Sequence, residues 1–167
     1  MRIPDKFDVK KGENVNMNAI ELLKADHKVV AGLFKEVESS KESEHPVIFK
    51  KIKAELDVHA HIEEVIFYPK LKAEGNEALV DIVLEGIEEH GQVKKFLTEL
   101  EALSGNNEKF EPKLTVLIED VEHHVKEEEG EMFPLVKDQF SAKAIDELGA
   151  AMEAEKAKFG KSKAFGA

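Results

Sequence analysis

Residues 59–69 read HAHIEEVIFYP and residues 124–134 read HVKEEEGEMFP. Laid over one another at a constant offset of 65, they share a His, both residues of a Glu-Glu step, an aromatic and a Pro. In each, a His and a Glu stand four apart: His59 with Glu63, and His124 with Glu128. On an α-helix that spacing puts two side chains on one face, separated by about 6 Å of rise and about 40° of rotation. The preceding segments repeat as well, since ADHKVVAGLF around His27 matches EEHGQVKKFL around His90 at an offset of 63. The chain therefore reads as two copies of a helix pair. Each copy carries a His on its first helix and His-x-x-x-Glu on its second.

Working outward, apolar residues recur at steps of three and four, and alternating strand patterns are absent, so the fold class is all-α. The spacing predicts a first helix from an N-cap at Asn18 to about Ser40, with Ile20, Leu23, His27, Val30, Phe34 and Val37 on one face. A second helix opens at Pro46 and closes at Gly75-Asn76, where the glycine can take a left-handed cap conformation. Its inner face reads Ile52, Leu56, His59, Glu63, Ile66. The third, from about Glu77 to Leu103, places His90 among Val83, Ile87, Val93, Leu97 and Leu100. The fourth starts near Pro112 and carries Leu114, Leu117, Val121, His124, Glu128 and Leu135. Four such helices joined by short loops make an up-down-up-down four-helix bundle. A fifth amphipathic segment, about Ser141 to Lys158, is an extra C-terminal helix packed on the outside. Residues 1–17 read as an N-terminal arm, 18–160 as the bundle with its fifth helix, and 161–167 as a frayed tail.

His27, His59, Glu63, His90, His124 and Glu128 occupy face positions where Leu or Val belongs. Burying an ionised carboxylate or an unpaired imidazole costs several kcal/mol unless something pairs with it. A metal meets that need for all six at once. With no Cys among 167 residues, iron–sulfur clusters, thiol chemistry and Cys-based zinc sites are excluded. Imidazole and carboxylate without sulfur suit iron, manganese or zinc. Six ligands exceed the four of one structural zinc, so two metals fit better, with Glu63 and Glu128 bridging or shared and coordination positions left open. Open positions admit water, dioxygen, nitric oxide or peroxide, which points to redox-active iron.

Other features narrow the setting. A formal net charge of −11 argues against nucleic acid or an anionic membrane as main partner. There is no apolar run of about 20 residues and no secretory signal pattern in the opening residues, so the expected location is cytoplasmic. His61 and His123 fall on other helix faces than His59 and His124 and are expected to point away from the site. His45 is expected in a loop, solvated. Tyr68, nine residues after His59, is nearly half a turn off its face and is expected to pack at the helix end. Glu64, Glu127 and Glu129 are available to support ligands, and Phe34, Phe67, Phe96 and Phe133 to fill the bundle around the centre.

The composite of His27, His59-x-x-x-Glu63, His90 and His124-x-x-x-Glu128, with YP and FP following the two carboxylates, resembles the hemerythrin-like HHE cation-binding family. The resemblance spans about residues 18–160. It implies a non-haem di-iron centre in a four-helix bundle, with these six side chains as ligands of two iron ions under an oxo or hydroxo bridge. The oxygen-carrying hemerythrins have a further His four residues after the third-helix His and an Asp five after the last His. Here those positions hold Lys94 and Glu129. The six-ligand pattern is similar instead to family members tied to peroxide removal, or to di-iron proteins that repair damaged iron centres. The latter usually carry a Cys-containing segment that this chain lacks. Three functions follow as expectations: decomposition of hydrogen peroxide; sensing, storage or binding of dioxygen, nitric oxide or iron without turnover; and a metal that only stabilises the bundle.

Overall fold

The computed structural model describes residues 16–165, with side chains to 160. The expected arm therefore lies outside the described residues except for its last two positions, as do the last two residues of the tail. Helix α1 spans Ala19–Ser39 and opens on a capping box, in which Asn18 Oδ1 accepts from the Glu21 N–H at 2.9 Å. Helix α2 spans His45–Ile62, with Pro46 in its first turn. A π turn at Glu63–Phe67 leads without a break into α3, Tyr68–Glu74. Helix α4 spans Glu77–Ala102, capped by Asn76, whose side chain accepts from the Leu79 N–H. Helix α5, Phe110–Glu127, starts two residues before the expected Pro112 and passes through a second π turn, Glu128–Met132, into α6, Phe133–Gln139. Helix α7, Ala142–Phe165, continues past the expected end at Lys158 and through the start of the segment read as frayed. No strand occurs among the described residues. The two π-interrupted rods with α1 and α4 make the four-helix bundle, and α7 lies along α1 and α2 as the added helix.

The π turns change the side-chain register. In each, the N–H after the turn reaches back five residues: Tyr68 to the Glu63 carbonyl and Phe133 to the Glu128 carbonyl. One residue is thereby added to a turn, and everything downstream rotates by about 100° relative to a regular helix. The inner positions after the two glutamates are accordingly Phe67 and Val136, both fully buried, in place of the expected Ile66 and Leu135, which are half-buried. Gly75 also departs from expectation. Its φ of −77° and ψ of 159° are extended, not left-handed. What requires glycine there is space, because a Cβ would fall 2.5 Å from the Leu71 carbonyl oxygen and 2.8 Å from the Leu79 side chain.

His45 is another correction. It is the first residue of α2 and is buried, with its ring nitrogens 3.0 Å from the Val37 carbonyl and 2.8 Å from the Glu111 carboxylate. It ties the end of α1 to α5, because the connection between α1 and α2 is short enough to fold the ring under it. The apolar core is in two parts. One groups Leu23, Ile62, Phe67, Tyr68, Met132 and Phe133 with the inner face of α7. The other groups Val30, Phe34, Leu56, Leu97, Leu117 and Val121 at the opposite end of the bundle. Between them lies a layer of buried His and carboxylate side chains.

Helix α7 approaches the start of α1 closely at Gly149, where a Cβ would sit 2.4 Å from the Met17 carbonyl oxygen and 2.7 Å from the Ala19 nitrogen. Backbone cannot yield there as a side chain would. Gly149→Ala should therefore destabilise the protein by about 1–3 kcal/mol, although alanine favours a helix elsewhere. A thermal melt checks this, with a midpoint several degrees below that of the parent expected.

Candidate metal centre

All six side chains singled out in the sequence converge in the polar layer, and each is buried. Helices α1 and α4 each bring one His, at equivalent places in the two halves. The other four come from the ends of α2 and α5, with each Glu opening its π turn one helical turn after its His. The donor atoms fall into two sets. His27, His59 and Glu128 form one, and Glu63, His90 and His124 the other, with the donor atoms of each set within 4.8 Å of one another. This grouping pairs the histidines by half of the chain, which the sequence left open.

Each glutamate also touches the other set. Glu63 Oε1 lies 2.9 Å from His59 Nε2 and 3.4 Å from His90 Nε2. Glu128 Oε1 lies 3.0 Å from His27 Nε2, and its Oε2 3.3 Å from His124 Nε2. Both carboxylates thus span the two sets, as bridging ligands would. Several of these atoms are close without being aligned as hydrogen bonds: His27 Nε2, His59 Nε2, both Glu63 oxygens and Glu128 Oε1 are buried and have no hydrogen-bond partner. Such orphaned atoms are expensive in a protein interior. Lone pairs aimed at one small volume fit a pair of cations better than they fit each other, and the nitrogen and oxygen donor types are those of iron, manganese or zinc.

Every one of the four imidazoles turns its Nδ1 to an acidic side chain. His59 meets Asp26 at 3.1 Å and His124 meets Glu89 at 2.9 Å. His90 faces Glu64 at 3.4 Å and His27 faces Glu129 at 3.6 Å. For His59 and His124 the acceptor at Nδ1 holds the N–H on that nitrogen, leaves Nε2 free to ligate and raises the basicity of the ring, whereas the contacts of His90 and His27 are close charge pairs without a hydrogen bond. Asp26 and Glu89 directly precede His27 and His90, while Glu64 and Glu129 directly follow Glu63 and Glu128. The acid-His steps, Asp26-His27 and Glu89-His90, and the two Glu-Glu steps therefore each supply one donor to the centre and one acidic neighbour to another ring. Glu64 and Glu129, expected as supporting acceptors, lie beside His90 and His27 as charge partners without a hydrogen bond to the ring. Glu127 does not share that position, because it pairs at 2.9 Å with the exposed His123. Asp26 and Glu89 escaped the sequence reading; the repeat holds the signal, because an acid precedes the seam His in both copies.

Tyr68 is the largest departure from expectation. It is buried, its hydroxyl donates to Glu128 Oε2 at 2.9 Å, and its oxygen is 3.4 Å from both His90 Nε2 and His124 Nε2. The π turn brings it there: nine residues after His59 count as about eight regular ones, which moves it about 100° toward the site. Gly86 clears the space, since a Cβ there would lie 3.2 Å from the hydroxyl. Burial pushes the phenol pKa well above 10, and the Glu128 and Glu63 carboxylates add to the shift. Tyr68 is thus a further oxygen within reach of one donor set. Its counterpart in the repeat, Phe133, offers only a ring stacked on His27, with centroids 6.1 Å apart.

The remaining candidates fall elsewhere. His61 is 2.8 Å from Glu155 on α7 and packs on Phe159, facing away from the centre as expected. His123 does the same toward solvent. Phe67 and Phe133 close one side of the centre and Phe34 lies deeper in the second core, but Phe96 is half-buried beneath Lys113, away from the centre. Lys94 Nζ pairs with Glu64 at 2.6 Å, and Glu129 supports His27, so neither adds a donor to the centre.

The hemerythrin HHE cation-binding domain family model matches residues 18–136. The chain belongs to that family. Its fold is similar to a crystal structure of a hemerythrin HHE cation-binding domain protein from Mycobacterium kansasii, a homologue of Rv2633c. The TM-score is 0.76 and the identity 27%, over 89% of this chain and 91% of that one. The Rv2633c protein of Mycobacterium tuberculosis is 31% identical over 141 residues, covering 83% of this chain and 84% of that protein. A DNA nickase of a Nostoc strain is 26% identical over 144 residues, covering 86% of this chain, which spans only 40% of that protein's length. No helix among the described residues is long and apolar enough to cross a membrane.

Without metal, protons balance the buried carboxylates. Burial would lower the His59 pKa, but Glu63 and Asp26 outweigh it and raise it to about 10. For His124, Glu128 and Glu89 outweigh burial and raise it to about 11. Both rings are protonated at neutral pH in the metal-free protein, so a cation must displace those protons. Metal binding should release protons and tighten as pH rises toward those values; titration calorimetry in buffers of differing ionisation enthalpy measures the number released. Among variants, Glu63→Ala and His124→Ala should lose most of the metal. Asp26→Ala and Glu89→Ala should keep the donors but weaken metal affinity by about 10–100-fold. His61→Ala and His123→Ala should leave metal content unchanged by elemental analysis.

Proposed function

We propose that this chain binds two iron ions between its six buried side chains and decomposes hydrogen peroxide, 2 H2O2 → 2 H2O + O2. The observation that supports this best is the incomplete donor set: three imidazole or carboxylate side chains around each position, with the two glutamates shared, beside a cavity of about 480 Å³ that all four histidines help to line. An ion held only for stability would be closed off by its ligands. A bound iron pair would supply a two-electron couple and open coordination positions; manganese fits the same donors, and zinc would fit them without redox chemistry.

The protein's own part is positioning and proton control. Glu63 and Glu128, each in contact with both sets, would fix the spacing of the two ions. Asp26 and Glu89, bonded at Nδ1, hold the Nε2 of His59 and His124 toward the centre. Tyr68 keeps a proton at its hydroxyl beside Glu128 Oε2 throughout the neutral range, because its pKa is held well above 10. Among the described residues it is the hydroxyl donor bonded to these carboxylates, and it can hand a proton to oxygen as the O–O bond of peroxide breaks and take one back from water. Phe67 and Phe133 exclude water from the opposite side.

Elemental analysis, the ultraviolet–visible spectrum and an oxygen electrode test this together. About two irons per chain, charge-transfer bands in the near ultraviolet and one O2 evolved for every two peroxides are expected. Two irons with a stable adduct and no oxygen evolved would make the protein a binder of dioxygen or nitric oxide instead. One colourless ion per chain would leave only a structural metal.

A further inference from the structure

The cavity beside the centre is far larger than peroxide requires. At about 30 Å³ for a water's share of liquid volume, 480 Å³ corresponds to about sixteen waters, whereas hydrogen peroxide or dioxygen needs the room of one or two. Its position follows from one layer of residues. One helical turn from the four histidines, on the side away from the π turns, stand Val30, Leu56, Val93 and Val121, at three residues from His27, His59, His90 and His124 respectively. Three valines and one leucine do not fill the bundle's cross-section. The other side of the histidine layer holds Phe67, Tyr68 and Phe133, each almost wholly buried, and is closed. Leu97 and Val125 continue the apolar wall. At the rim the charges are matched, with Lys53 on Asp57 at 2.7 Å and Lys94 on Glu64 at 2.6 Å.

An apolar chamber with nitrogen and oxygen donors at its inner end and a balanced rim is the arrangement of a small-molecule site, in which walls bind hydrocarbon and a few polar groups orient one end. We infer that the cavity binds an aliphatic monocarboxylate on the order of eight carbons long, with its tail along Val30, Leu56, Val93 and Val121 and its carboxylate at the histidine end. The inference rests on reading the six side chains as cation ligands, because carboxylate oxygens suit hard cations and would be repelled by Glu63 and Glu128 without them. A ligand so placed would occupy the approach to the centre and compete with peroxide.

Calorimetric titration of the metal-loaded protein with acetate, hexanoate and octanoate tests this. Affinity should rise about fourfold for each added methylene, with one octanoate bound per chain. Val93→Phe and Val121→Phe should each fill the chamber and weaken octanoate at least tenfold while iron content and the circular dichroism spectrum stay those of the parent; two variants guard against one failing to fold. Octanoate binding no tighter than acetate, or unaffected by both substitutions, would overturn the inference. The chain-length series and peroxide turnover are separate readouts. Turnover without chain-length dependence removes this inference alone, whereas chain-length dependence without turnover removes the peroxide reading and leaves this one standing.

Discussion

Two carboxylates and four imidazoles buried at the middle of a helical bundle are the constraint around which the rest of this structure is arranged. No apolar neighbour can satisfy them, and six such groups together would cost more than a domain's whole net stability of roughly 5–15 kcal/mol if left uncompensated. The repeat lets one solution be used twice. Each half contributes an acid-His step on one helix and a His-x-x-x-Glu-Glu run on the next, so every donor set and every support has a counterpart across a pseudo-twofold axis. Asp26 stands to His59 as Glu89 stands to His124, and Glu64 to His90 as Glu129 to His27. The sequence neighbours of the candidate ligands are therefore as constrained as the ligands.

The π turns follow from the same requirement. Glu63 and Glu128 must aim inward at the level of the histidines, and each opens a turn that is one residue too wide. A regular helix would continue the apolar stripe through Ile66 and Leu135, and a count at the ordinary period reads it so. Up to the glutamates, face positions such as Leu23, Ile52, Val83 and Leu117 were legible from spacing alone, as were the six polar breaks in the pattern. Past the glutamates the period fails by one residue, which is why Phe67 and Val136 replace Ile66 and Leu135 and why Tyr68 turns in toward the centre. No residue type announces a π turn; the only trace is that the aromatic and the proline follow the Glu-Glu step at the same distance in both copies. His45 was illegible for a different reason, because its burial depends on Val37 and Glu111, which are distant in sequence and meet it only when the helices pack.

The symmetry of the donors is broken by what surrounds them. Tyr68 and Phe133 are counterparts, yet only one of them brings a hydroxyl to the centre. Asp26 is bound by Lys156 of α7 in a partly buried pair, whereas Glu89 has beside it the exposed His123 at 3.8 Å. A lysine drawing on Asp26 reduces how strongly that carboxylate polarises His59, and Lys94, 2.6 Å from Glu64, does the same to the support of His90. Each half thus holds one ring whose support is shared with a lysine, and what separates the halves is the aromatic neighbour, the Phe133 ring at His27 and the Tyr68 phenol at His90 and His124. Two metal positions with the same protein donor types would for this reason differ in access to a proton. That difference originates in one side chain, Tyr68, whose counterpart in the internal repeat, Phe133, carries no hydroxyl.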